Sequence, residues 1–473
     1  MVHKSKIIVI WPPVILSIVF LLILIWIFLP PALVSFFYNK GEYCYNHGNY
    51  DASLIYYQRV LTLKHDYIQA LNGKGRVLYI QGKYDYSVKY YDKVISIDPA
   101  SAEAWCKKGK ILNLHGHISE AMKCFNKSIE IDPGSGDAWY NRGIILNIRG
   151  NYKESTKCIY KSIECYSKIL SRKTDSFDTW YGNGNAFYEL GNYKDAVISY
   201  DEAIKLNPLS PFCLSKRAFA LYKQGKNREG DKSFQKALKA CDEWLSMNKD
   251  DGSVWYNRGN LFFYKGQYKE ALACYDRALS VLPEYPVITV KKGEVLFKEK
   301  KYEESLTCYY KSLKIEPEYV EAVNSIGNIL YIQGEYDKAL KYYDKALKIN
   351  PFDEVIWTNK GNILYDQGIY DKALKYFDRS LSINPNDVVT WNSRGNLFYT
   401  MENYKEALRC FDKSLSLNPE DGEILNLKGN ILYYKGEYKE ALACYDMSLK
   451  IDPHNEDARN NRNTLMKIYR NSE

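Results

Sequence analysis

The chain has 473 residues, of which 46% are apolar, 26% charged and 15% aromatic, which is too apolar for a disordered tail and too charged for a polytopic membrane protein. Its formal net charge of +8 is spread over 65 basic and 57 acidic residues with no long run of one sign, so nothing in the composition calls for nucleic acid.

The first feature in chain order is apolar. No charged side chain occurs from Ile7 to Phe37, and Val14 to Val34 supplies 21 residues, close to the ~20 needed to cross a hydrocarbon core. This predicts an N-terminal segment, 1–33, consisting of a short tail and one transmembrane helix, with Pro30 and Pro31 near its end. A cleaved signal peptide would have a shorter apolar core, of ~7–15 residues, followed by small residues at a cleavage site. Lys4 and Lys6 precede the span and only Lys40 closely follows it, an asymmetry that puts the remainder of a single-pass protein on the extracytoplasmic side. The cysteines favour the alternative, the cytoplasmic face. Six of the eleven, Cys124, Cys158, Cys274, Cys308, Cys410 and Cys444, recur at one repeat position and read as packing residues rather than bridges.

After the span the chain repeats every 34 residues, with anchor glycines at Gly41, Gly75, Gly109, Gly143, Gly184, Gly259, Gly293, Gly327, Gly361, Gly395 and Gly429, and Ala218 in the sixth place of twelve. Two spacings, Gly143 to Gly184 and Ala218 to Gly259, are 41 residues long. The extra seven residues keep apolar positions at helical spacing, so the stretches 164–175 and 241–251 are expected to lengthen a second helix. The tenth repeat shows the pattern. Trp357, Gly361 and Leu364 share one face of a first helix, Gly368 marks a turn, and Tyr370, Ala373, Phe377 and Ser380 stripe a second helix that Asn384-Pro385 ends. A single hairpin of this kind cannot bury its apolar face, and stacking neighbours must complete the core.

Tryptophan, glycine, tyrosine, alanine, aromatic, small residue and proline at these spacings resemble the tetratricopeptide repeat family, over 34–455. The resemblance implies an all-α fold, a right-handed superhelical solenoid of about twelve helix hairpins. Residues 456–473 would form a capping helix, with Ala458 and Leu465 among polar residues. Two repeats depart from the pattern. The sixth has Ala218, Asn227 and Gly230 where glycine, tyrosine and alanine are usual, and the eighth has Thr289 for tryptophan and Lys300 for the turn glycine.

In this family the face of the first helix opposite the packing stripe lines a concave groove. One residue after the anchor stand Asn185, Asn260, Asn328, Asn362, Asn396 and Asn430, and two before it Asn141, Asn257 and Asn359. Four after it come Tyr188, Tyr331, Tyr365, Tyr399 and Tyr433, among other aromatics. An amide offers a donor and an acceptor together, and tyrosine adds apolar contact, a combination that suits the backbone of an extended peptide. Some members of the family hold extended polypeptide with such a ladder. The lysine that marks a carboxylate clamp is missing, its places being held by Tyr181, Tyr256, Asn324, Thr358, Asn392 and Asn426. Ten of the twelve repeats carry Lys or Arg just before the anchor, a row read mainly as stems lying over the packing face.

His115 and His117 have no cysteine or carboxylate at metal spacing, and neither a phosphate loop nor a nucleophile elbow occurs. The sequence therefore leads to a protein without catalytic, metal or cofactor residues. It reads as a membrane-tethered scaffold that binds other proteins, as peptide segments or helices, in its groove. The competing reading is a structural spacer or assembly factor acting through its convex face or self-association.

Overall fold

The computed structural model describes residues 31–45, 48–115, 117–148, 151–172, 176–283 and 285–472, and every regular element among them is a helix. The transmembrane helix expected over 14–34 lies outside the described residues except at its last four, which are helical together with 35–45. Among the described residues no helix is long and apolar enough to cross a membrane.

Local chemistry sets the helix boundaries. First helices such as Glu354–Asp366 run 13 residues and open on an acidic cap, the Asp353 carboxylate accepting from the Ile356 amide at 3.1 Å. Second helices such as Tyr370–Ile383 run 14 residues and stop at Asn384, which is extended ahead of Pro385. Tyr152–Leu170 and Asn227–Met247, at 19 and 21 residues, are the two lengthened second helices that the 41-residue spacings imply. The turn between helices needs a left-handed residue, and Gly368 supplies φ +74°. Lys300 and Glu402 occupy the same place at φ 60° and 58° without being glycine. Lys300 is the eighth-repeat departure named from the sequence, and Glu402 adds a second one in the eleventh repeat.

Most hairpins close on an aromatic ring, whereas the fourth closes on Ile159 against Gly143. A Cβ added at Gly361 would lie 2.5 Å from Cε1 of Phe377, whose ring is fully buried, so only glycine lets the two helices approach this closely. The sixth repeat trades places: Gly230 stands where alanine is usual, and the Tyr222 ring fills the space its side chain would need. Between repeats, the tryptophan indole fixes the loop, Trp357 Nε1 donating to the Pro351 carbonyl at 3.0 Å and Trp391 to that of Pro385 at 2.9 Å. The basic residue before the anchor pairs with an aspartate of the preceding second helix, as in Lys360–Asp344 (2.5 Å), Arg394–Asp378 (3.1 Å) and Lys428–Asp412 (2.6 Å). Lys360 also lies over the Trp357 and Tyr376 rings, so this row works in packing between repeats.

The described residues form two compact modules, an N-terminal one of 31–147 with 152–301, and a C-terminal one of 302–472 to which 148 and 151 are also assigned. In the C-terminal module successive hairpins stack from the ninth repeat to the terminal helix Glu456–Ser472, which buries Ala458 and Leu465 completely, as a cap should. In the N-terminal module the stack also returns on itself. Tyr84 of the second repeat stacks on Tyr285 at 5.7 Å and its hydroxyl meets Ser253 Oγ at 2.9 Å. Tyr50 of the first repeat packs on Trp244 at 6.0 Å. Val34, Tyr57, Tyr84, Tyr275, Leu282 and Ile288 thus belong to one continuous core.

Candidate functional site

The amide one residue after the anchor points beside the aromatic ring that fills the hairpin, sixteen residues on from the anchor. Where that ring is tyrosine, its hydroxyl donates to the amide oxygen: Tyr200 to Asn185 (2.9 Å), Tyr275 to Asn260 (2.8 Å), Tyr343 to Asn328 (2.7 Å) and Tyr445 to Asn430 (2.9 Å). Where it is phenylalanine, no hydroxyl is available. That is the case in the tenth and eleventh repeats, with Phe377 beside Asn362 and Phe411 beside Asn396. The Asn362 side chain then makes no hydrogen bond among the described residues, and Asn396 keeps a buried oxygen without a partner.

The amides flanking this pair are doubly engaged. Asn328 Oδ1 also accepts from Asn359 Nδ2 at 3.0 Å, and Asn430 Oδ1 from Asn461 Nδ2 of the cap at 2.9 Å. Residues three before the anchors are committed inward as well. Thr358 joins Ser380 and Thr390 in a buried hydroxyl cluster, and Asn392 bonds Ser414 and, at 3.1 Å, Asp421. The tyrosines four after the anchor are held by the following repeat, Tyr331 donating to Asp366 at 2.7 Å and Tyr365 sharing a 2.8 Å bond with Thr400. Tyr399 and Tyr433 pack against Tyr404 and Tyr438 at 5.9 and 5.7 Å. The C-terminal wall therefore presents aromatic rings fixed in place around two adjacent amides with unused hydrogen-bonding capacity. Burial is the main cause raising the Tyr331 and Tyr399 hydroxyls above the ordinary tyrosine value, which keeps them protonated.

The N-terminal module is built differently. Asn257 is 8% exposed and donates to Ser215 Oγ at 2.9 Å, so it ties helices together beneath the wall. Asn141 caps back onto its own helix at the Asp137 carbonyl, 2.7 Å away, and Tyr188 packs on Tyr193 with Lys216 Nζ 5.2 Å from its ring centre. Several ladder places hold charges instead of amides. Glu42 pairs with Arg76 at 2.6 Å and accepts from the Tyr57 hydroxyl. Lys110 pairs with Asp137, which also accepts from Tyr166 in the lengthened second helix. Burial opposes ionisation of Asp137, but the charges of Lys110 and Lys107 and the bonds from Lys110 and Tyr166 outweigh it and hold the carboxyl well below the usual range. The ladder column of the sequence itself shows Glu42, Arg76 and Lys110 in its first three places, and the Tyr or Phe sixteen residues after the anchor is equally visible there.

No group of His, Cys, Asp and Glu that could hold a metal occurs among the described residues. The cysteines are free thiols, and burial pushes Cys124 up to about 11 and Cys213 to about 12.

Comparison with known proteins agrees with this construction. Tetratricopeptide repeat models match 253–285, 320–353, 355–387, 388–421 and 422–455, and others match 124–157 and 34–67, 102–135 and 290–319. A TPR repeat model matches 75–116 and 184–225, and a protein prenyltransferase alpha subunit repeat model matches 234–264. No curated protein matches the chain. Similar solved structures include yeast Tom70, at 16% identity and TM-score 0.48 over 86% of this chain and 96% of that one. Another is the APC/C hetero-tetramer Cut9-Hcn1, at 11% and 0.47 over 91% and 96%. Folds of this kind are typical of protein–protein interaction scaffolds and are generally non-catalytic. The chain is a member of the tetratricopeptide repeat family.

Proposed function

We propose that this protein is a non-catalytic, membrane-tethered scaffold that holds an extended segment of another protein on the inner wall of its C-terminal module. The observation that carries the proposal is the pair Asn362 and Asn396, adjacent ladder amides left without the tyrosine hydroxyl that satisfies Asn328 and Asn430. A primary amide has the same donor and acceptor as a peptide group, so Asn362 can offer both to a chain lying along the wall, while Asn396, whose oxygen is buried, offers its Nδ2 donors. Tyr331 and Tyr365, already fixed by Asp366 and Thr400, add ring contacts with little further loss of side-chain freedom. The wall positions in the ninth to twelfth repeats carry no lysine or arginine, which favours main chain over a terminal carboxylate.

A peptide selected by display against the full chain tests this. Replacing Asn362 and Asn396 together by alanine removes hydrogen bonds of about 0.5–1.5 kcal/mol each, weakening that peptide about tenfold. An unchanged affinity would sink the proposal. The tether rests on the apolar span 14–34, and the extracytoplasmic placement on Lys4 and Lys6. Protease digestion of the repeats in intact cells supports that side, and protection until the membrane is opened argues for the other.

A further inference from the structure

We infer, resting on the main-chain site at Asn362 and Asn396, that the segment held there is basic at both ends and apolar between, with the pattern basic-x-x-apolar-x-x-apolar-x-x-basic. The side chains that select it lie along one edge of the C-terminal wall.

That edge is formed six residues before each anchor, and so seven before each ladder amide. Seven residues are close to two helical turns, which puts both on one face of the first helix, the amide at its middle and the selecting residue where the helix begins. From the ninth repeat to the twelfth the edge holds Glu321, Val355, Val389 and Glu423, and the terminal helix adds Asp457 at the same place. Val355 and Val389 expose 49% and 61% of their surface. The carboxylates are exposed as well. Glu321 accepts from the Tyr319 hydroxyl at 3.4 Å, and Glu423 enters no ion pair among the described residues. An acid in the first turn suits the helix dipole, which accounts for Glu321 and Glu423 taken singly. It does not account for the valines. A β-branched side chain exposed in a first turn adds nothing to the helix it starts, yet two stand in the repeats that carry Asn362 and Asn396.

Charge elsewhere on the wall has the same sign. Asp366 stands exposed at the opposite edge of the tenth repeat, and Lys467, at the tyrosine place of the terminal helix, lies beyond the four repeats. The cations just before the anchors, Lys360, Arg394 and Lys428, are paired with Asp344, Asp378 and Asp412. An anionic wall of this kind attracts a cationic segment and repels an acidic one.

Spacing fixes the pattern. Successive first helices are joined directly, Asn359 to Asn328 at 3.0 Å, Thr358 to Thr390, and Asn461 of the terminal helix to Asn426 at 3.1 Å. Helices packed together lie about 8–10 Å apart. A polyproline II chain turns once in three residues and rises ~3.1 Å for each, or about 9 Å per turn. Every third side chain of such a chain therefore meets the same edge one repeat further on. Its backbone makes no internal hydrogen bonds, which leaves peptide groups free for Asn362 and Asn396.

Three fluorescein-labelled decapeptides, titrated against the full chain by anisotropy, test the pattern. The first has lysine at each end, leucine at its fourth and seventh positions and serine elsewhere. The second replaces the lysines by glutamate, and the third replaces the leucines by serine. The first should bind, and the other two should bind about tenfold more weakly. In the variant Glu321→Lys with Glu423→Lys the first peptide should lose its lead over the second, and in Val355→Ser with Val389→Ser its lead over the third. All four substitutions fall on exposed residues, so the hairpins keep their packing. No binding of the first peptide, or leads that survive in both variants, overturns the inference. The display-selected peptide decides the main-chain site separately: a ligand that depends on Asn362 and Asn396 but is acidic leaves that site standing and overturns this pattern alone.

Discussion

Adding a hydroxyl at Phe377 and Phe411 should stabilise the C-terminal module. Both rings lie against their anchor glycines as the tyrosines do, with Cε1 2.5 Å from the built Cβ compared with 2.6 Å for Tyr343. A tyrosine hydroxyl at either place would therefore sit where Tyr343 reaches Asn328 at 2.7 Å and Tyr445 reaches Asn430 at 2.9 Å. A net hydrogen bond contributes about 0.5–1.5 kcal/mol, and satisfying a buried orphan such as the Asn396 oxygen recovers part of a ~1–3 kcal/mol penalty. The double variant Phe377→Tyr, Phe411→Tyr should gain roughly 2 kcal/mol. Followed by urea denaturation at a slope of ~2 kcal/mol per molar, the midpoint of the C-terminal transition rises by about 1 M. The reverse changes, Tyr343→Phe and Tyr445→Phe, should each cost about 1 kcal/mol or slightly less, because Asn359 still donates to Asn328 and Asn461 to Asn430. A midpoint that falls or stays put in the double variant would show that the hydroxyl does not reach the amide, and the ladder account would be wrong.

Further predictions follow from the same contacts. Lys300→Gly and Glu402→Gly each relieve a left-handed residue and should raise stability by up to about 1 kcal/mol in thermal melts. Gly361→Ala drives a methyl into the Phe377 ring and should cost about 1–3 kcal/mol, with its effect concentrated in amide exchange of the tenth repeat. Asp137 has a folded pKa below its unfolded value of about 3.9, so its contribution is present above that pH and is lost as the pH falls through the folded value. The acid limb of N-terminal stability should therefore flatten in Asp137→Asn, as read by melting between neutral and acidic pH. Cys124 and Cys213, buried and raised to about 11 and 12, should resist iodoacetamide near neutral pH and react once the chain is unfolded.

The hairpin repeat was legible in the sequence because its spacing is a direct physical requirement. Gly361 must be small beneath Phe377, Gly368 must turn left-handed, and Asn384 must leave the helix before Pro385. The lengthened helices were legible for the same reason, since seven added residues at helical spacing continue a helix. The state of each ladder amide was harder to read, because Asn328 and Asn362 look alike until the residue sixteen beyond the anchor, Tyr343 or Phe377, is considered with them. Asn257 was misleading on its own: it occupies a wall position by spacing, yet the lengthened helix beside it and Ser215 draw it inward. Closure of the N-terminal module was least accessible. It depends on Tyr84 meeting Ser253, 169 residues away, which no period of 34 residues discloses.

The central claim is that Asn362 and Asn396 bind because nothing within the chain occupies them. It is tested most directly by measuring a display-selected peptide against the Phe377→Tyr, Phe411→Tyr variant by isothermal titration. Both asparagines remain and the wall keeps its shape, so only the availability of the amides changes. The account predicts that affinity falls about tenfold as stability rises. Undiminished binding to the more stable variant would contradict it.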